Sequence, residues 1–249
     1  MIIIKVGGSA ITNKNDAYTL NEDIMKNVAR QLAQINERLI LIHGVGSYGH
    51  PLAKQYKIGS GYDGSHERLM GLMLTNYWVD ELSQRFTKIL IDHGLVALRC
   101  RPITFFITKK GRIDDFYSEP IEKFIEMGII PVLHGDGPVD REQGFSILSG
   151  DQIATFLAKH FKARKIIFGM DVPGILIDEQ VVPEMKFEEI PAVKNHVLDN
   201  QDASGGLRKK LEEVEALENM NIEVQLVGLY DPEALLQAIQ DQRIGTLIK

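Results

Sequence analysis

Two glycine-rich turns, each at the end of an apolar run, are the first residues in this sequence whose types and spacing could do chemistry. The run from Met1 to Val6 ends in Lys5-Val6-Gly7-Gly8-Ser9. Two glycines there let the backbone approach a ligand and offer N–H groups to phosphate oxygens. A Walker A loop is ruled out, because the lysine precedes the glycines and sits inside the apolar run. Such a lysine either snorkels to solvent or meets an anion, and taken alone the residues weigh the two equally. Lys14, a few residues on, reads by default as a solvated loop lysine.

The second turn, His43-Gly44-Val45-Gly46-Ser47-Tyr48-Gly49-His50, matches the dinucleotide spacing G-x-G-x-x-G. A dinucleotide unit would continue into a helix and a second strand ending in an acidic residue. Here Pro51 follows at once and residues 57–64 are polar and glycine-rich, so we expect a turn that cradles an anion and no dinucleotide site. Gly59, Gly61 and Gly64 repeat the spacing after no strand at all. His50 reads either as a turn cap or as a donor to a phosphate oxygen, stronger when protonated.

Three more constellations carry chemistry. Ser149-Gly150-Asp151-Gln152 predicts a helix start with a Ser149/Gln152 capping box and Asp151 complementing the helix dipole; the functional reading has Asp151 orienting lysines beside a phosphoryl group. Met170-Asp171-Val172-Pro173-Gly174 is either an ordinary turn or backbone placed against an adenine ring. Ala203-Ser204-Gly205-Gly206-Leu207-Arg208-Lys209-Lys210 puts glycines and three cations at a helix start, which disfavours the helix itself and favours an anionic ligand.

The elements that must position these residues alternate between short runs rich in Ile, Val and Leu and longer helical stretches, as in an α/β sheet buried on both faces. Strands are expected at 1–6, 39–43, 96–98, 104–107, 129–134, 166–169 and 224–227. Helices are expected at 22–35, 66–93, 118–127, 151–161, 206–220 and 232–239. Gly94 and Gly128 stand where left-handed helix caps belong. Segments 101–116 and 144–148 look like hairpin pieces, as does 175–182 with its turn at Asp178-Glu179, so the sheet is expected to be mixed. No repeat or linker interrupts the chain. One continuous domain is expected, with two lobes about a cleft near residue 160.

Composition bounds the function. The 249 residues are 44% hydrophobic and 25% charged, enough for a real core, and the net charge of -6 offers no overall positive field for nucleic acid or an anionic membrane. Any phosphate site is therefore local. Cys100 is the one cysteine, which suits a reducing compartment and reads as a small buried hydrophobe. The N-terminus lacks the features of a signal peptide and no run approaches the ~18 apolar residues of a membrane span, so a soluble cytoplasmic protein is expected.

Taken in order across about 200 residues, KxGGS at the first strand, the second glycine loop, the SGD helix start, the DV-x-G turn and the GG-L-x-x-K segment resemble the motif set of the amino acid kinase superfamily. Within it, the loop ending in His50 and Ile11-Thr12-Asn13-Lys14 look like isopentenyl phosphate kinases; acetylglutamate and uridylate kinases carry other loops there. Pro173 departs from the aspartate of many relatives, which touches one nucleotide-side contact.

The resemblance implies a three-layer α/β/α sandwich around a mixed, mainly parallel sheet, a homodimer, an acceptor-binding part over about 1–160 and a nucleotide-binding part over about 161–249. It implies ATP and isopentenyl phosphate as substrates, isopentenyl diphosphate and ADP as products, and Mg²⁺ arriving with ATP with no protein ligand named. By the same resemblance Lys5, Lys14, His50, Asp151 and Lys210 are catalytic. Gly8, Val45, Gly46, Gly49, His50 and Gly150 bind the acceptor; Lys5, Gly7, Gly8, Ser9, Gly46, Asp171, Gly174, Gly205 and Lys210 bind ATP. An apolar stripe, Met70, Leu74, Trp78, Leu82 and Phe86, reads more often as core than as pocket and is assigned here as a wall for the acceptor's tail, with Tyr77, Ile147 and Ile153 as weaker candidates. A kinase of another small phosphonate or carboxylate, and a nonenzymatic nucleotide-binding protein on the same fold, stay open.

Overall fold

The structure is a computed structural model that describes residues 1–13, 16–199 and 206–249, without the side chains of 196–199. The chain opens with β1 (Ile2–Val6), a single helical turn α1 (Gly8–Ile11) and α2 (Glu22–Leu32). It continues through β2 (Leu39–His43), α3 (Gly46–Gln55), the long α4 (His66–Asp92) and β3 (Ala97–Arg99). A hairpin of β4 (Phe106–Lys109) and β5 (Arg112–Phe116) leads to α5 (Glu119–Glu126) and β6 (Ile130–His134), then to the short β7 (Val139–Asp140) and β8 (Gly144–Phe145). After α6 (Gly150–His160) and β9 (Lys165–Met170) come the small pair β10 (Leu176–Ile177) and β11 (Gln180–Val181), then β12 (Glu184–Met185) and α7 (Ile190–Asp199). The described chain ends with α8 (Gly206–Glu215), β13 (Glu223–Gly228), α9 (Ala234–Ile239) and β14 (Thr246–Ile248).

Eight strands form one sheet in the order β12-β14-β13-β9-β1-β2-β6-β3, parallel throughout except where β14 runs against β13. The sheet is mixed and mainly parallel as expected, but through β14 and not through the hairpin segments, which form a separate four-stranded sheet, β5-β4-β7-β8, and the pair β10-β11. Alternation along β1 divides the core into two layers. Ile2, Ile4 and Val6 pack with α2, α4 and α9, while Ile3 packs with α5, α6 and α8. Lys5 shares the face of Ile3, so period two alone sends its ammonium toward α6 and α8. The chain leaves β1 toward β2 on one side and returns later to β9 on the other. Crevices beyond strand ends at such a switch point are where open α/β sheets hold ligands.

Several local readings need correction. A helix, α3, does follow the second glycine turn; its Pro51 is exposed and stands inside the helix, sixth of ten residues, where the missing N–H costs one hydrogen bond without ending it. The turn α1 and helix α7 were not foreseen, the first because four residues carry no period and the second because Pro191, an early-helix proline, hides its start. Residues 102–104 form a 3-10 turn ahead of β4. Gly94 and Gly128 do take left-handed φ values of 84° and 79°, and Asp178 and Glu179 turn the small hairpin at 49° and 62°. Among the described residues no helix is long and apolar enough to cross a membrane.

Candidate active site

Three charged side chains meet beyond the end of β1. Lys5 Nζ donates to Asp151 Oδ1 at 2.9 Å, and Lys210 Nζ donates to the same oxygen at 2.8 Å. Lys210 also lies over the Phe168 ring of β9, 4.6 Å from its centroid. All three side chains are largely buried, and paired burial is what makes such charges tolerable. Desolvation would raise the Asp151 carboxyl, but the charges of Lys210 and Lys5 hold it far below the ordinary carboxylate range. Burial pulls Lys210 down to about 8, against the Asp151 charge and with the help of the Lys5 charge. Two cations about one anion leave the cluster net positive, a setting for phosphate oxygens.

The two glycine turns are one object. A Cβ on Gly8 would overlap the Gly46 amide, one on Gly44 would overlap the Gly8 amide, and Gly46, at φ 47°, has the Thr12 hydroxyl and Gly8 carbonyl against it. Their glycines are thus required first by backbone packed on backbone. Thr12 ties the turns together: its hydroxyl donates to Gly8 O at 2.8 Å and accepts from Ser47 N at 3.1 Å. Gly7 N donates to Gly169 O at 2.7 Å, which fixes the first turn to β9 as well. The starts of α1, α3 and α6 follow Gly7, Val45 and Ser149, so several helix amino ends surround the same region.

His50 lies on α3 and is exposed as a residue, yet it is flanked closely enough that desolvation, then the charges of Lys5 and Lys209, lower its pKa. The lowering favours the uncharged ring, which offers one N–H. Gly49 beside it is packed on Val45 and on Val79 of α4, so its missing side chain serves helix contact. Gly150 opens α6 with its Cβ position 3.5 Å from Lys5 Cε. Ser149 caps this helix by accepting from Gln152 N at 3.1 Å, but the reciprocal half of the expected capping box is not made. Gln152 instead donates to Gly111 O and accepts from Ile113 N.

Ser9 is half-buried on α1, and Asp171 is half-buried directly after β9. Gly174 is closed off by Thr246, whose hydroxyl accepts from Ile175 N at 2.8 Å, so packing against β14 explains that glycine. Lys14 and Gly205 lie outside the described residues. Tyr18 stacks on Trp78 at 4.0 Å and accepts at its carbonyl from Tyr48 Oη at 2.7 Å.

The expected tail wall is partly wrong. Leu82 and Phe86 are fully buried against β1 and β2, and Ile153 is fully buried on the other face, because the stripe turns inward along α4. Leu69, Met70, Met73 and Tyr77 of α4 are exposed, as is Ile147. They accompany α3, which packs along α4 from Val79 at Gly49 to Gly71 at Tyr56. Phe168, Thr12 and the Gln152 link to the hairpin were missed, since contacts between residues so distant in the chain leave no local pattern.

Residues 1–228 match the model of the amino acid kinase family. The chain belongs to that family. Among its relatives, the isopentenyl phosphate kinase of Methanothermobacter thermautotrophicus is 29% identical, over 100% of this chain and 98% of that protein. The isopentenyl phosphate kinase of Methanocaldococcus jannaschii is 29% identical over 85% of each chain. A solved structure described as isopentenyl phosphate kinase superposes with a TM-score of 0.87 at 26% identity, covering 100% of both chains. The kinase family and the cationic cluster agree in chemistry: a phosphotransferase needs fixed positive groups where negative charge gathers.

Proposed function

We infer that the protein transfers the terminal phosphoryl group of ATP to isopentenyl phosphate, giving isopentenyl diphosphate and ADP. The observation that carries this reading is the Lys5–Asp151–Lys210 cluster at the switch point, beside the glycine turn that leads into His50. Full-length likeness to proteins named isopentenyl phosphate kinase supports the choice of acceptor.

Lys5 and Lys210 hold the moving phosphoryl group and the nucleotide phosphates, Lys14 adds a third cation from its loop, and Asp151 keeps the first two in place. The acceptor phosphate, with a second pKa of about 6, is already a dianionic nucleophile at neutral pH, so no general base is required. His50 donates to that phosphate, with backbone N–H groups of Val45, Gly46, Gly49 and Gly150 around it. Gly7, Gly8 and Ser9 face the nucleotide phosphates, with Asp171, Gly174 and Gly205 on the nucleotide side. The acceptor occupies the part over about 1–160 and ATP the part over about 161–249. The apolar tail lies along the exposed residues of α4.

Mg²⁺ enters as the ATP complex. Asp151 is engaged by Lys5 and Lys210, and in this reading the nucleotide's own phosphates and water would hold the ion, which would neutralise charge on the phosphates. We also propose a homodimer working in the cytoplasm, in keeping with one buried, unbridged cysteine.

The test is ADP release from Mg-ATP with isopentenyl phosphate as sole acceptor, checked by the product's mass. Turnover requiring that acceptor, and absent with N-acetylglutamate, is expected. ATP binding without turnover on isopentenyl phosphate would overturn the reading.

A further inference from the structure

We propose that Arg112 and Glu213 are positioning residues for Lys210, and that the tip of the β4–β5 hairpin clamps α8 to α6 so that the Lys210 ammonium stands where Asp151 can meet it. The proposal rests on the phosphoryl-transfer reading above.

Glu213 follows Lys210 by three residues on α8, which places the two on one helix face, and both are nearly buried, 9% and 6% exposed. Each oxygen of Glu213 takes one nitrogen of the Arg112 fork, Nη1 at 2.5 Å and Nη2 at 2.9 Å. A bidentate pair fixes the plane of the carboxylate as well as its distance. The same hairpin tip reaches α6. Gln152 Nε2 donates to Gly111 O at 3.2 Å and Ile113 N donates to Gln152 Oε1 at 3.1 Å, one residue from Asp151. Gly111, Arg112 and Ile113 thus hold the helix of Asp151 and the helix of Lys210 together.

The tip is itself stiff. Lys110 and Gly111 turn with φ 52° and 75°. Asp140, 2% exposed, accepts from Gly111 N at 2.8 Å and Lys110 N at 3.2 Å, as well as from the amides of Glu142 and Gln143. Charge satisfaction alone does not explain the pairing of Glu213. Lys159, on α6, lies near enough to feel the charge of Glu213, yet both carboxylate oxygens go to the hairpin. The bond chosen is the one that ties the hairpin to α8. Lys210 stretches from α8 to Asp151 and over Phe168, so a small rotation of α8 displaces the ammonium.

The test compares wild type, Arg112→Met and Glu213→Gln, each also in a Lys210→Ala background, by steady-state kinetics and by acetylation of lysines with acetic anhydride, followed by mass spectrometry. Arg112 is more than half exposed, so its variant removes little packing. Arg112→Met is expected to lower kcat by about tenfold or more, while the KM for isopentenyl phosphate stays within about twofold. Lys210 should acetylate several times faster, with Lys5 on β1 unchanged. In the Lys210→Ala background the same change should alter kcat by less than about twofold, since the two act as a unit. Equal loss in both backgrounds, or a lowered Tm with kcat and Lys210 acetylation unchanged, would overturn the clamp. A wild-type protein inactive on isopentenyl phosphate defeats the functional reading, and Lys210 acetylation still decides the clamp.

Discussion

Lys5 and Lys210 donate to one and the same atom, Oδ1 of Asp151, at 2.9 and 2.8 Å. Two like charges are brought together by a shared acceptor. Asp151→Asn keeps the shape and removes the charge that makes the pairing tolerable. Loss of one partner from a buried ion cluster costs about 3–5 kcal/mol, and turnover should fall by about 10²-fold or more. Chemical denaturation and steady-state kinetics read the two effects. Because the folded-state pKa of Asp151 is depressed, its stabilising contribution is full above the ordinary carboxylate range and fades only as pH falls through and below it.

Lys210 sets an alkaline limit. It helps only as a cation, and with its pKa lowered to about 8 the charge is lost as pH rises through that value. The kcat/KM for ATP should decline above about pH 8, and Lys210→Arg, cationic at any working pH, should move the decline to higher pH. Its contribution to stability runs the other way. Between the lowered folded value and the ordinary lysine value the unfolded chain binds more protons, so that contribution grows with pH. A pH–rate profile beside a pH–stability profile tests both signs.

His50→Ala should raise the KM for isopentenyl phosphate by about tenfold or more, the loss of one hydrogen bond to a charged group, and leave nucleotide affinity nearly unchanged. Titration calorimetry with ADP and with the acceptor separates the two. Equal losses in both would remove the acceptor-side role.

Gly46→Ala should destabilise by about 2–5 kcal/mol, because a left-handed backbone and an overfilled contact add together, and activity should vanish with the loop geometry. Gly206 has open space around its Cβ position, and Gly206→Ala at the start of α8 should stay within about 1 kcal/mol of wild type. Thermal and denaturant melts of the two variants form the comparison.

Phe86→Ala should cost about 3–5 kcal/mol of stability without altering which prenyl phosphates are used, since its side chain is fully buried beneath the sheet. Tyr77→Ala and Ile147→Ala, at exposed positions, should do the reverse and admit longer tails. Product masses from acceptors of increasing chain length decide it.

Much of this was legible in the residues. Apolar runs of the β1 and β2 type announce doubly covered strands, and Lys5 stands out because a cation interrupts such a run. Asp151 and Lys210 are readable as helix-start residues whose charge asks for a partner. That Asp151 orients lysines was readable at the helix start, and the family resemblance named Lys5 and Lys210 as the two it holds, as the structure has it; nothing local says that Lys210 lies on Phe168, or that Gln152 abandons its own helix end for a hairpin. The glycines were read as room for a ligand, whereas Gly8, Gly44 and Gly46 make room for one another and Gly174 for Thr246. The inward turn of the α4 stripe at Leu82 and Phe86 is likewise a tertiary fact, since helical spacing marks a face and not what lies against it.

Interlocked turns at Gly8, Gly44 and Gly46 also bear on how such a protein can diversify. A change in either turn collides with the other, so a new acceptor cannot be accommodated by reshaping the floor one residue at a time. Variation is freer at the exposed apolar side chains of Met70, Met73, Tyr77 and Ile147. A lineage that altered its acceptor would be expected to carry its substitutions in the walls above an unaltered floor.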